Sequence, residues 1–145
     1  MKNIIKVSMI LLLICGNTLP AVAVEDKKTN VTYVTETEIA VNEKIRAAGK
    51  VTGTKTTKVM SGSSVLWTVK VTGTFEYDGS HSTCTAASVS TTVSNSYWKI
   101  ASKSATKSGS SATAKATGQR YNNGVVVETH TESVTLVCGS DGTLY

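Results

Sequence analysis

Val65-Leu66-Trp67-Thr68-Val69-Lys70-Val71-Thr72-Gly73-Thr74-Phe75-Glu76-Tyr77 alternates apolar and polar residues almost without a break. Val65, Trp67, Val69, Val71, Phe75 and Tyr77 share one parity, and Thr68, Lys70, Thr72, Thr74 and Glu76 hold the other. Successive side chains on an extended strand point to opposite faces, so this stretch predicts one long strand with an oily face and a wet face. Asp78-Gly79 ends it with a strong turn signal.

The same period continues on both sides. Lys50 to Met60 is rich in threonine and valine, and Ser61-Gly62-Ser63-Ser64 separates it from the long strand, which predicts a hairpin. Cys84 to Val93 carries Val89, Thr91 and Val93 in phase. Trp98 to Ala105 puts Trp98 and Ile100 inward. Ala112, Ala114 and Ala116 lie in phase on a strand ending at Tyr121, and Val125 to Cys138 follows the Asn122-Asn123-Gly124 turn. Strands at this spacing predict an all-β domain over residues 49–145, an antiparallel β-sandwich or open barrel of about six strands. Its expected core holds Val65, Trp67, Val69, Val71, Phe75, Trp98 and Ile100.

Composition agrees with this reading. The chain has 145 residues, 40% hydrophobic and 17% charged, with a formal net charge of +5 and one proline. Those values exclude a multidomain machine, a polytopic membrane protein and a collagen-like chain. Serine and threonine are abundant. A glycosylated, disordered stalk would combine them with proline and show no apolar phase. Here the only proline is Pro20, and threonine suits the solvent face of a strand.

Residues 1–23 read as an export segment. Lys2 and Lys6 precede an apolar run from Val7 to Cys15, and Ala21-Val22-Ala23 predicts cleavage between Ala23 and Val24. The run is shorter than the ~20 residues that span a bilayer. Cys15 lacks the small preceding residue that lipoprotein processing wants, since Ile14 stands there. Residues 24–48 form a polar lead. Ile39, Asn42 and Ile45 recur at threes before Gly49, so Glu36 to Ala48 could form a short helix or an irregular or extended, partly flexible lead. The lead is acidic and the domain basic, with 11 basic against 5 acidic residues from Lys44 onward.

Two cysteines remain after export, Cys84 and Cys138. An even count in an exported chain predicts a disulfide, worth roughly 4 kcal/mol for a loop of about 55 residues. With Trp98 between them, the cysteines are similar in spacing to the bridge and tryptophan of immunoglobulin domains. The likeness ends there, because Leu136 stands where that fold has a tyrosine.

Chemistry-bearing residues are sparse. His81 follows the Asp78-Gly79 turn, and His130 lies on the last strand; both read as surface residues. Paired carboxylates would have to come from Glu76, Asp78, Glu128, Glu132 or Asp141. The sequence has no Gly-x-Ser-x-Gly elbow, HExxH, P-loop or GxGxxG. No cofactor or metal is expected, and the reading is of a non-catalytic protein. Lys99, Lys103, Lys107 and Lys115 share parity. A hairpin about Gly109 would set them in a stripe on its outer face. Such a stripe could meet an anionic cell-wall polymer or a membrane surface. It could equally keep an exposed hairpin soluble and discourage edge pairing. Few aromatics interleave with the cations, so nucleic acid is not an expected partner.

Leu66 to Gly79, Ser82-Thr83-Cys84, Trp98-Lys99-Ile100, Lys107-Ser108-Gly109 and Val134 to Cys138 resemble small exported proteins of low-GC Gram-positive bacteria. That resemblance implies a secreted protein and carries over no functional residue. The expected roles are an extracellular binding or envelope-associated protein, a secreted antagonist of other cells, or a small extracellular hydrolase.

Overall fold

The computed structural model describes residues 33–44 and 49–145. The expected export segment, its expected cleavage site at Ala23 and Val24, and residues 24–32 and 45–48 of the lead lie outside the described residues. Seven strands follow in order: β1 (Tyr33–Lys44), β2 (Gly49–Ser61), β3 (Ser64–Tyr77), β4 (Ser82–Val93), β5 (Trp98–Ser108), β6 (Ser111–Asn122) and β7 (Val125–Val137). They form two antiparallel sheets, β1-β2-β3-β4 and β5-β6-β7, in which each strand pairs with its neighbour in the chain. Tight turns make this possible. Between β6 and β7, Asn123 and Gly124 have φ of 48° and 80°, the two positive values that a two-residue hairpin loop needs.

The sheets stack with β2 facing β7, β3 facing β6, and β4 beside β5. The core between them joins Val51, Val59, Trp67, Val69, Val71 and Phe75 to Ala112, Ala114, Ala116, Val134 and Leu136, with Trp98 at one end. Large rings on β3 meet small residues on β6. A Cβ on Gly118 would lie 2.8 Å from the Trp67 indole nitrogen, so glycine makes the seat for that ring. Val65 and Ile100 are half-buried. A bulge at Leu66 shifts the β2–β3 register between Val59 and Met60. Leu66 therefore takes a core place that strict alternation would give to Val65.

Residues 36–44 lie in β1, so the helix considered for the lead does not form there, and no helix occurs among the described residues. Glu36 stands opposite Lys58 and Glu38 opposite Thr56 in the ladder with β2. Among the described residues β1 meets only β2. No second sheet covers it, so its sequence needs no oily face.

The expected disulfide is also corrected. Cys84 and Cys138 are buried free thiols. Each sulfur turns to a nearby backbone carbonyl: Cys84 Sγ donates to Ala86 at 3.3 Å, and Cys138 Sγ to Gly139 at 3.3 Å. Their backbone N–H groups grip one turn, donating to the carbonyls of Gly109 (2.7 Å) and Ser110 (3.0 Å). Burial pushes both thiols above the ordinary range; Lys107 partly offsets this at Cys84, and Asp141 adds to it at Cys138.

The chain end closes this side of the molecule. Tyr145 exchanges two backbone hydrogen bonds with Val137 (2.9 and 3.1 Å), and Leu144 rests on Gly53 of β2. Gly142, at φ 81°, lies so close to the Tyr77 ring that a Cβ there would come within 2.5 Å.

Candidate binding surface

The outer face of the β5–β7 sheet is built by register. Lys99 pairs with Gln119, Ser102 with Thr117, Ser104 with Lys115, and Thr106 with Thr113. On β7 the same rows continue through Thr129, Thr131, Ser133 and Thr135. Hydroxyls pair across the strands, Thr113 with Thr135 and Thr117 with Thr131, each at 2.9 Å. None of these positions is a carboxylate. Lys99 Nζ lies 5.0 Å from the centre of the Tyr121 ring, a cation–π distance, and the Tyr121 hydroxyl donates to Gln119 Oε1 at 3.1 Å.

The predicted lysine stripe does not survive this register. A bulge at Ala101 shifts the β5–β6 ladder between Ile100 and Ser102. One extra residue reverses the phase of everything after it. Lys99 and Lys115 stay on the outer face. Lys103 and Lys107 instead pair with Ala116 and Ala112, whose side chains are buried, and so point to the inner side of an edge strand. Lys107 Nζ donates to the Thr85 carbonyl of β4 at 2.8 Å, tying the two sheets together.

At one end of this outer face the polar rows give way to apolar ones. The Tyr121 N–H donates to the Tyr97 carbonyl at 2.8 Å, and Tyr121 pairs with Val126. Tyr97 is 65% exposed, Val125 64%, Val126 41% and Val127 42%. The reading from sequence passed over this group. Its signal is Val125-Val126-Val127, three apolar residues in a row after an Asn-Gly turn, where alternation would place a polar one.

His130 is half-buried rather than fully on the surface. It lies opposite Gly118 on the inner side of β7, edge-on to Trp67 with ring centres 6.1 Å apart. Its Nε2 is 3.3 Å from Glu132 Oε2, and Glu128 accepts from Arg120 Nε at 2.9 Å. Both carboxylates are thus committed to neighbouring bases. The Trp67 Nε1 beside them is buried with no hydrogen-bond partner.

His81 lies at the opposite end, exposed, in an open depression of about 690 Å³ lined also by Lys50, Glu76, Tyr77 and Asp78. Asp78 accepts the N–H groups of His81 (2.7 Å) and Ser80 (2.8 Å). These bonds hold its carboxyl below the usual aspartate range. Asp141 is engaged by Thr143. Among the described residues no group of three His, Cys, Asp or Glu side chains could hold a metal ion. No protein-family model, curated protein or solved structure matches the chain.

Proposed function

We propose that this is a secreted, non-catalytic protein of Gram-positive bacteria that associates with the cell envelope through an anionic surface. The observation that carries the reading is the outer face of the β5–β7 sheet, which presents lysines and hydroxyls with no carboxylate among its paired positions. A surface of one sign attracts polyanions at a range set by salt, about 8 Å at physiological ionic strength. The export segment supplies the route to the outside of the cell.

The test of the main reading is retention on isolated cell envelopes. Retention should fall as salt rises, and Lys99→Glu with Lys115→Glu should reduce it. Lys103→Glu should matter less, because that side chain faces inward. Salt-independent retention, or equal losses from all three changes, contradicts the assignment to this face.

A further inference from the structure

We infer that the anionic surface is a lipid bilayer, entered by the apolar end of the β5–β7 sheet. This inference rests on the envelope reading above and names its partner. Five of the seven large exposed hydrophobics of the described residues lie at this end of the sandwich: Val93 at the end of β4, Tyr97 just before β5, and Val125, Val126 and Val127 at the start of β7. Tyr97, Tyr121 on β6 and Val126 on β7 form a row across the end of the three-stranded sheet. Contiguous exposed apolar groups mark a docking site more often than isolated ones do.

Depth and charge select lipid over protein. The row turns polar two residues on at Lys99 of β5 and at Gln119 of β6, and three residues on at Thr129 of β7. Two to three residues of strand span about 7–10 Å, within the 5–10 Å to which interfacial segments sink at the headgroup boundary. A protein interface would need a broader apolar area than one strand-end row. Tyrosine suits the headgroup level, with an apolar ring and a polar tip. Lys99, stacked on Tyr121, stands just behind the row where an anionic headgroup would lie. Glu128, the nearest carboxylate in sequence, is turned to the inner side and held by Arg120, so it does not oppose that charge.

The test is flotation of the purified protein with phosphatidylglycerol-containing vesicles, with pure phosphatidylcholine vesicles, and with soluble polyphosphate as a lipid-free polyanion. Binding to the anionic vesicles should exceed binding to the neutral ones. Val125→Ser/Val126→Ser/Val127→Ser should weaken vesicle binding about tenfold or more, while polyphosphate binding stays unchanged. Lys99→Gln should lower both and flatten the salt dependence. If the triple variant floats as well as the parent, the apolar end is not the contact. Binding to polyphosphate without binding to vesicles overturns the lipid assignment and leaves the envelope reading standing. Binding to neither removes both. Because the three valines are exposed, far-UV circular dichroism should show the variant folded as the parent is.

Discussion

The two ends of the sandwich are finished by different means. At the cysteine end, Leu144 and Tyr145 fold back against β2 and β7, and Cys84 and Cys138 grip the turn between β5 and β6. The inner residues there are Phe75, Ala112 and Leu136, all fully buried. At the other end, no tail among the described residues covers the gap between the sheets. Its inner face holds Arg120 with Glu128, and His130 with Glu132, each pair about a quarter exposed. The difference teaches that an interior needs an apolar lining only where something excludes water from it. Where it opens, charged pairs can line it, provided each charge has a partner.

The largest expected effect comes from the ring that packs against the open end's inner face. Trp67 is fully buried beside His130, and Trp67→Ala should cost about 3–5 kcal/mol in urea unfolding. Trp67→Phe should cost clearly less than its lost volume implies, because the buried indole N–H that lacks a partner leaves with the ring. A loss for Trp67→Phe as large as its lost volume implies would show that this N–H carries no penalty.

A change at the sealed end should come next. Gly142→Ala places a methyl against the Tyr77 ring at positive φ, and about 1–3 kcal/mol of destabilisation is expected. Amide exchange should quicken at Val137 and Tyr145 while β5 and β6 keep their protection. At the open end, Arg120→Ala leaves Glu128 without its 2.9 Å partner. Part exposure limits that cost to about 1 kcal/mol, and high salt should shrink it further.

Titration should show the smallest effects. The two thiols have raised values in the folded chain, so the stability they contribute is full below the ordinary thiol range. It is lost as pH rises through the folded values. The reduced protein should therefore melt lower in alkali, and Cys84→Ser/Cys138→Ser should remove that dependence. Asp78 has the opposite sign. Its lowered value supports the turn above the usual carboxylate range, and that support fades as pH falls through the folded value. Asp78→Asn should leave melting at acid pH nearly unchanged.

Strands β2 to β7 were readable because each has one face pressed on an interior, and that pressure writes a two-residue period into the chain. Asp78-Gly79 and Asn123-Gly124 marked two of their ends. Strand β1 was readable only as the extended alternative for the lead, because hydrogen bonds to β2 hold it without a covering sheet among the described residues, and backbone bonds leave no mark in hydropathy. The lysine stripe failed for another reason. Lys99 and Lys103 share parity in sequence, but the extra residue at Ala101 separates their faces, and nothing in Ala101 itself announces a bulge. His130 was misplaced because Glu128, His130 and Glu132 alternate with Thr129, Thr131 and Ser133. With polar residues on both sides, a period of two does not say which side is inward.

Every ladder in this molecule joins a strand to the one made just before it. A chain arriving from its first residue onward never has to hold an unpaired strand in reserve for a distant mate. Apart from β1 and β5, which open the two sheets, each new strand finds a waiting template, and loop-closure cost stays small. The long-range latches come late: Lys107 on Thr85, the turn under Cys84 and, last of all, Tyr145 on Val137. Assembly can therefore keep pace with delivery, and a chain interrupted before its final residues would already hold most of its backbone bonds.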